Sequence, residues 1–309
     1  MTGNIGIALR FSLLATLWGA SFLFIKVGLT GLSPGQVALA RLAFGALALT
    51  LIVVIQRPRL PREPVIWGHF AVMGLLMCVI PFQLFAWAET RISSGLASIF
   101  NATTPLLTVL IGGVILRRER ITRGAAIGLG FGFAGVLTIV GVWNGLGTAD
   151  LLGQLACLGA ATCYGTSFVY MRHFLGKRHI EPTVLAFGQV ALGTVVMLAL
   201  SPLVATGPVH LSVPVVLSMA ALGMLSTGVA YIWNARIIVA WGATNAAAVT
   251  YLTPVVGVVL GVAVLHEPLS WNQPAGALLV ILGILAAHGR LTLKRRRPEP
   301  VAVGSGAQA

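Results

Sequence analysis

The chain consists mainly of apolar runs that are each about as long as a bilayer is thick. A helix needs about 20 predominantly apolar residues to cross a membrane. Runs of this kind, bounded by proline, glycine or charge, predict ten spans, at 7–28, 34–56, 65–88, 93–116, 124–142, 151–173, 182–201, 213–236, 243–265 and 272–290. Only 9% of the 309 residues are charged, against about 25% in a soluble domain. A soluble enzyme, a disordered chain and a nucleic-acid-binding protein are therefore excluded.

The net charge of +13 is unevenly distributed along the chain. With a cytoplasmic N-terminus, the alternation of ten spans places 17 of the 20 basic residues on the cytoplasmic side. Cytoplasmic loops of membrane proteins carry this excess of Lys and Arg. We expect a multi-pass protein of the bacterial inner (plasma) membrane with both termini in the cytoplasm. The tail over 291–309 is basic and then rich in Pro, Gly and Ser, so it is predicted to be disordered.

The two halves of the chain carry the same motifs in the same order. The repeated pairs are Trp18-Gly19 and Tyr164-Gly165, Thr104-Pro105 and Thr253-Pro254, and the triplets Glu119, Gly128, Gly135 and Glu267, Gly276, Gly283. Each unit holds five spans, an odd number, so the second unit enters the membrane from the opposite face. We predict an all-α membrane protein whose ten transmembrane helices form two inverted five-helix repeats, 1–145 and 146–290, around a central cavity.

The paired motifs resemble those of the EamA-type transporters of the drug/metabolite transporter superfamily, over about residues 7–290. The resemblance rests on the two aromatic-Gly pairs. It also rests on Pro105 and Pro254, each followed 13–14 residues later by Glu119 or Glu267 and then by a Gly-containing helix. It implies a ten-helix, basket-like fold with a central cavity and export of small metabolites. Members studied as amino-acid exporters are similar in length and layout. We expect both glutamates to stabilise the start of the next span through its helix dipole.

Polar and aromatic side chains within the spans are the candidates for substrate binding, because such groups need partners, a wet cavity or a substrate. They are Trp18, Ser21, Gln83, Trp87, Asn101, Tyr164, Ser167, Tyr231, Asn234 and Tyr251. In this interpretation, rings and hydroxyls form a cavity wall and the amides orient the substrate. Ordinary helix packing is the alternative, since small and hydroxylated residues let helices approach closely. Pro105 and Pro254 are expected to kink or break their helices and act as hinges.

Arg41 and Glu89 are the charged candidates, both assigned to an outer vestibule. Arg41 lies about seven residues, or ~10 Å, inside its span, where an arginine costs ~2.5–3.5 kcal/mol. Three interpretations stay open: Arg41 attracts a substrate carboxylate, extends to the headgroups, or pairs with Glu89. Glu89 is either part of an interfacial ion pair or the buried carboxyl that a proton-coupled carrier needs. Proton-coupled and gradient-driven export therefore both remain possible.

The sequence contains no motif that would support catalysis. HExxH, GxSxG and Walker A patterns are absent, and the three cysteines have no metal-ligand spacing, so we expect no enzyme activity, no cofactor and no metal site. We predict a secondary transporter that exports small metabolites, foremost amino acids, by alternating access. The alternatives are an exporter of drugs or cationic compounds, or a sugar or nucleotide-sugar carrier, on the same fold, and after these a membrane enzyme or a channel. The expected partners are a small-molecule substrate and the lipid bilayer, without nucleic acid. A monomer suffices for this function, and the oligomeric state stays open.

Overall fold

The computed structural model describes residues 2–115, 123–140, 148–176, 178, 180–241 and 249–287. Within these residues all regular secondary structure is helical, and no β-strand forms. The helical segments are α1 (Thr2–Gly28), α2 (Pro34–Gln56), α3 (Pro64–Ala88), α4 (Ser94–Asn101, Thr104–Leu110 and Ile111–Ile115), α5 (Arg123–Val140), α6 (Thr148–Tyr170 and Met171–Leu175), α7 (Pro182–Val204), α8 (Val213–Ala220, Ala221–Val229 and Ala230–Trp241), α9 (Val249–Leu265) and α10 (Asn272–Ala287).

Most of these segments have the length and composition of membrane spans. Seven of the described helices can cross a bilayer, namely Leu9–Gly28, Pro34–Gln56, Pro64–Ala88, Ser94–Gly113, Arg123–Val140, Pro182–Val204 and Val213–Asn234. Two shorter apolar helices follow, Leu252–Leu265 and Asn272–Ala286. The protein is therefore a multi-pass membrane protein. The predicted start of the ninth span at 243 and the tail over 291–309 lie outside the described residues, as does Glu119.

Proline and serine mark the helix starts, as the sequence predicts. Pro34 and Pro182 are the first residues of α2 and α7, where the missing N–H has no helical partner to lose. Ser33 caps α2 in a capping box with Gln36: each side chain bonds the other's backbone N–H. Ser93 caps α4 through a single hydrogen bond, which its side chain accepts from the Leu96 N–H at 3.2 Å.

The prolines inside the spans have three different local structures. Pro81 follows a π-helical stretch, Leu75–Val79, whose wider turn accommodates the missing N–H. Pro105 follows a break at 102–103, where α4 becomes a turn before it resumes at Thr104. No break occurs at Pro254, since α9 is helical from Val249 to Leu265. The predicted interruption is therefore present in α4 and missing from the repeat-related α9.

Contacts between the two halves recur when the halves are exchanged. Helix α1 packs on α9 and α6 packs on α4, while α3 packs on α7 and α8 packs on α2. The glycines of the repeated motifs make the first two contacts possible. A Cβ on Gly19 would lie 2.9 Å from the Thr253 carbonyl oxygen, and one on Gly165 would lie 3.0 Å from the Thr108 nitrogen. These glycines thus let each first helix approach the proline-bearing helix of the other half.

The fifth helices of the two halves, α5 and α10, pack against each other along a glycine seam. A Cβ on Gly276 would lie 2.6 Å from the Gly135 carbonyl oxygen, and one on Gly283 would lie 2.6 Å from that of Gly128. The glycines of α5 and α10 thus allow the two helices to approach closely. This close approach explains why glycine recurs at the same spacing in both halves.

The bundle has two ends, which we name by residues. The Ser33 end holds the connections α1–α2, α3–α4, α7–α8 and α9–α10. The Glu63 end holds the connections α2–α3 and α6–α7. The main core cluster lies nearer the Ser33 end and contains Phe22, Phe85 and Phe100.

Candidate functional site

Arg41 lies inside the protein, two turns from the start of α2, with 7% of its surface exposed. Its Nε donates to the Thr227 hydroxyl at 3.0 Å. The guanidinium carbon lies 3.6 Å from the centre of the Phe82 ring, a cation–π contact. Among the residues that the structure describes, no carboxylate lies within 4.0 Å of this guanidinium. Arg41 is therefore buried without an ion pair to Glu89, and its two Nη groups have no hydrogen-bond partner among the described residues.

Close packing of α2 against α8 buries Arg41. A Cβ on Gly223 would lie 2.7 Å from the Arg41 carbonyl oxygen and 2.9 Å from the Gly45 nitrogen, so only glycine fits there. The facing part of α8 is π-helical over Ala221–Val229. Thr227 lies in this stretch and donates its hydroxyl to the Leu222 carbonyl at 3.2 Å, five residues back. Its oxygen is thereby oriented to accept the hydrogen bond from Arg41.

Aromatic and hydroxyl groups surround Arg41. The guanidinium lies close enough to act electrostatically on Cys78, Tyr164 and Tyr231. Helices α2, α3, α6 and α8 thus converge on one set of side chains, which we call the Arg41 cluster: Arg41, Cys78, Phe82, Tyr164, Thr227 and Tyr231. The sequence-predicted residues Arg41, Tyr164 and Tyr231 meet here. Phe82 and Cys78 are absent from the sequence-predicted set, although their four-residue spacing places them on one face of α3.

Phe85 and Phe22 extend the Arg41 cluster towards the Ser33 end. The Phe85 ring lies 6.0 Å from the Tyr164 ring and 5.5 Å from the Phe22 ring, which meets it edge to face. Both phenylalanines are buried in the main core cluster. The surface beside Arg41 on this side is therefore aromatic and apolar.

Glu89 is fully buried at the Ser33 end, directly after the last residue of the α3 span. Neither of its carboxyl oxygens has a hydrogen-bond partner. The Lys26 ammonium lies nearby but donates to backbone carbonyls, that of Glu89 at 2.6 Å and that of Ile92 at 3.0 Å. Burial raises the pKa of Glu89 well above its usual value, and the charge of Lys26 opposes this shift.

Two predicted amides also retain buried, unpartnered oxygens. Gln83 in α3 and Asn101 in α4 are half-buried, and their side-chain oxygens accept no hydrogen bond. Asn101 is the last residue before the break in α4, and its backbone carbonyl accepts from the Thr104 hydroxyl at 2.7 Å. Unpartnered amides in a membrane protein favour contact with a ligand or with water over simple packing.

Three predicted residues have partners within the protein instead. The exposed Arg91 guanidinium lies over Trp87, with its carbon 3.7 Å from the centre of the Trp87 ring. Trp87 therefore contacts Arg91 and not Arg41. Ser21 donates to the Leu17 carbonyl at 3.0 Å, and Ser167 donates to the Tyr164 carbonyl at 2.7 Å. These hydroxyl bonds run back along each residue's own helix, as in ordinary helix packing.

The remaining predicted residues lie at the edges of the described structure. Trp18 is half-buried and packs on a small cluster that contains Leu14, Ala230 and Val249. Asn234 is half-buried in α8. The side chain of Tyr251 lies outside the described residues.

Glu267 has a different partner from the one that its position in the sequence suggests. Its carboxylate accepts from the Ser94 backbone N–H at 2.9 Å, from the Ser94 hydroxyl at 2.8 Å and from the Gly95 N–H at 3.3 Å. It therefore caps α4 in the first half of the chain, and not the following helix α10 as expected. The physical basis, a carboxylate at a helix N-terminus, is as expected.

The chain is similar to known transporters along most of its length. The EamA-like transporter family matches it twice, over residues 5–141 and 151–287. A probable terminal-alkyne amino-acid exporter of Streptantibioticus cattleyicolor is 27% identical over 283 residues, which cover 91% of this chain and 92% of that protein. A probable amino-acid metabolite efflux pump of Salmonella typhimurium is 27% identical over 289 residues, covering 88% and 91%. A solved crystal structure superposes with a TM-score of 0.65 at 20% identity, covering 91% of this chain and 97% of that one, and shares the fold.

Proposed function

The chain belongs to the EamA-like transporter family, and on that premise we propose that it exports small metabolites, foremost amino acids, across the bacterial inner membrane. The relatives named as exporters of amino acids or their metabolites span nearly the whole chain. A membrane transporter, and not an enzyme, is the function that this family carries. Its working partners are then a small-molecule substrate and the bilayer, without a cofactor, a metal ion or nucleic acid. A single copy of the chain is sufficient for the mechanism that follows.

The proposed mechanism is alternating access by ten transmembrane helices arranged as two inverted five-helix repeats. The packing contacts that recur when the halves are exchanged support this arrangement. The distribution of basic residues supports cytoplasmic termini, which would place the Glu63 end in the cytoplasm and the Ser33 end outside. Inverted repeats give inward-open and outward-open states of similar energy, as a carrier requires.

The uncommitted guanidinium of Arg41 is the observation on which the substrate assignment rests. A buried cation without a carboxylate partner is unfavourable until an anion binds it. The Nη groups of Arg41 form a planar fork that suits a carboxylate. Tyr164 and Tyr231 then form part of the binding site, and Asn101 and Gln83 offer free amide oxygens. Trp18, Trp87, Ser21, Ser167, Asn234 and Tyr251 are assigned to the wall around it.

The same observation argues against an exporter of cationic compounds. A cation beside Arg41 would be repelled at short range in a medium of low dielectric constant. A neutral sugar would leave the guanidinium without its counter-charge. Amino acids bring a carboxylate, so they satisfy the site best.

The hinge is proposed at Pro105 more than at Pro254. The α4 backbone is already interrupted at 102–103, beside Asn101. Motion at this break would change the position of the Asn101 amide relative to the Arg41 cluster. Helix α9 continues through Pro254 and would move as one piece.

Counterflow into proteoliposomes tests the proposal. Vesicles loaded with unlabelled amino acids should accumulate the labelled amino acid transiently. Arg41→Gln should lower this uptake about 10-fold or more, since a hydrogen bond to a charged group contributes ~1.5–3 kcal/mol. Arg91→Gln is the matched control, because the Arg91 side chain is exposed and its guanidinium lies over the Trp87 ring and bonds the Thr90 hydroxyl, away from Arg41. Absence of counterflow with all 20 amino acids would refute the amino-acid assignment.

A further inference from the structure

We infer that the substrate binds as a zwitterion between two buried ionisable groups, with its carboxylate on Arg41 and its ammonium on the Glu89 carboxyl. This assignment rests on the proposed function and adds the chemical form of the substrate and a second binding residue. It changes the role of Glu89 from that of a vestibule charge to that of a direct ligand.

The geometry of α3 places the two charges on the same side of one helix. Phe82 and Glu89 are seven residues apart, which is two turns, so their side chains project from one face about 10 Å apart along the axis. Arg41 lies over the Phe82 ring at 3.6 Å. Arg41 and Glu89 act on each other electrostatically, yet they form no ion pair within 4.0 Å. The buried guanidinium and the buried carboxyl therefore influence each other without a direct bond.

An α-amino acid carries the two charges that could bind these groups at the same time. Its carboxylate and ammonium are attached to one carbon atom. With one hydrogen-bonded contact at each end, the bridge from a guanidinium carbon to a carboxyl carbon spans roughly 8–10 Å. A monocarboxylate or a simple amine would satisfy only one of the two protein groups.

Both protein groups have unused hydrogen-bonding capacity, and no other group in the described residues satisfies it. Glu89 is 0% exposed, and neither of its carboxyl oxygens has a partner. The Nη groups of Arg41 have none either. Leaving buried polar groups unpaired costs free energy, and the cost is larger when the group is charged. The ammonium and carboxylate of a zwitterion would remove this cost at both ends.

The neighbouring charged side chains bond other groups and do not compete with a substrate for Arg41 or Glu89. Lys26 donates to the backbone carbonyls of Glu89 and Ile92. The Glu267 carboxylate accepts from Ser94 and Gly95. Glu89 is therefore the carboxyl that remains available to an ammonium group. Phe22, Phe85 and Tyr164 lie around this region. They would contact an apolar or aromatic side chain of the substrate.

Analogues that lack one charge test the inference directly. Phenylalanine, 3-phenylpropanoate and phenethylamine share a ring and differ in the presence of the ammonium and the carboxylate. In counterflow of labelled phenylalanine, both analogues should compete at least 10-fold more weakly than phenylalanine itself. Should phenylalanine not be transported, the best amino acid of the panel replaces it, with its own deaminated and decarboxylated analogues.

Variants assign each charge to its residue. In Glu89→Gln, phenylalanine should lose about 10-fold in competition while 3-phenylpropanoate is unchanged, so discrimination for the ammonium disappears. In Arg41→Gln, discrimination for the carboxylate should disappear instead. Glu63→Gln removes an exposed carboxylate at the other end of the bundle and should leave both ratios unchanged.

The outcomes separate this inference from the proposed function. If amino acids are transported but wild-type protein accepts 3-phenylpropanoate as well as phenylalanine, the zwitterion site is wrong while amino-acid transport stands. A monodisperse Glu89→Gln protein that keeps full discrimination overturns the role of Glu89. If this variant does not fold, the wild-type analogue comparison still decides. Absence of transport of any amino acid overturns both proposals.

Discussion

The two ends of the bundle are held together by different kinds of bonds. At the Ser33 end the halves are joined by hydrogen bonds that involve the backbone. Glu267 accepts from Ser94 and Gly95, the Gln36 amide donates to the carbonyls of Ala205 and Gly207, and the His210 N–H donates to the Gly31 carbonyl. In the described part of the Glu63 end, the halves meet in one ion pair, Glu63–Arg178 at 2.8 Å, and two hydrogen bonds, His69–Tyr170 at 2.7 Å and Thr183–Gln56 at 3.4 Å.

The bonds between the halves differ at the two ends in their exposure to solvent as well as in their number. The side chains of Arg178 and Glu63 are 38% and 68% exposed, so solvent and salt screen their attraction. The carboxylate of Glu267 is half-buried and orders a helix start that would otherwise keep unsatisfied donors. Among the described residues, the bonds between the halves are thus more numerous and less exposed at the Ser33 end. With the orientation proposed above, this end is the outer one, and the closed contacts are those that outward opening must break.

The largest effect is expected from removal of the Glu267 cap. Glu267→Gln keeps the shape of the side chain but replaces one acceptor oxygen by an amide nitrogen and removes the charge that the α4 N-terminus favours. The unfolding free energy should fall by about 1–3 kcal/mol, seen as a melting temperature several degrees lower in detergent. Glu63→Gln is the matched control. Equal melting temperatures for the two variants would mean that the ends do not differ as described.

A smaller effect is expected from Gln36, which has two functions that a pair of variants separates. Gln36→Ala removes the capping-box acceptor and the amide donor, whereas Gln36→Glu keeps the acceptor for the Ser33 N–H and loses the donor to Ala205 and Gly207. We expect a loss of about 1 kcal/mol in each. Increased accessibility of the Ser33 end to a membrane-impermeant thiol reagent should accompany both variants, read at Ala205→Cys, a half-buried position of the same segment. An unchanged labelling rate would show that this contact does not keep the end closed.

The smallest effect is expected at the Glu63 end. Arg178→Gln should lower the unfolding free energy by less than about 1 kcal/mol, because exposed ion pairs contribute little. The difference from wild type should shrink further at high salt. Thermal unfolding at two salt concentrations measures both effects. A loss as large as that of Glu267→Gln would reverse the comparison.

The spans were predictable because lipid leaves the backbone few choices. A chain in hydrocarbon must satisfy its N–H and C=O groups within each segment, so apolar runs of sufficient length become helices. The prolines at helix starts follow from local geometry in the same way. Local chemistry did not decide the interiors: Thr104-Pro105 and Thr253-Pro254 are the same dipeptide, yet α4 breaks beside one and α9 continues through the other. Contacts with neighbouring helices decide between these outcomes.

The sequence pointed to the residue types of the candidate site but not to the contacts between them. Burial of polar groups in apolar runs pointed to Arg41, Glu89, Asn101 and Tyr164. The partner of Arg41 is Thr227, 186 residues away, and no local periodicity encodes such a distance. The same holds for Glu267, whose partner Ser94 lies 173 residues away, while the sequence suggested the next helix. Contacts between halves depend on the assembled bundle.

The exchange of packing partners between the halves has a consequence for biosynthesis. Helix α1 is completed by α9, and α4 is completed by α6 and capped by Glu267, all from the second half. When the first five helices have been inserted, the groove at Gly19 and the start of α4 therefore still lack their partners. Each repeat is a unit of sequence, but neither half can complete its own core, so the protein reaches its final structure only after the last helices have been synthesised.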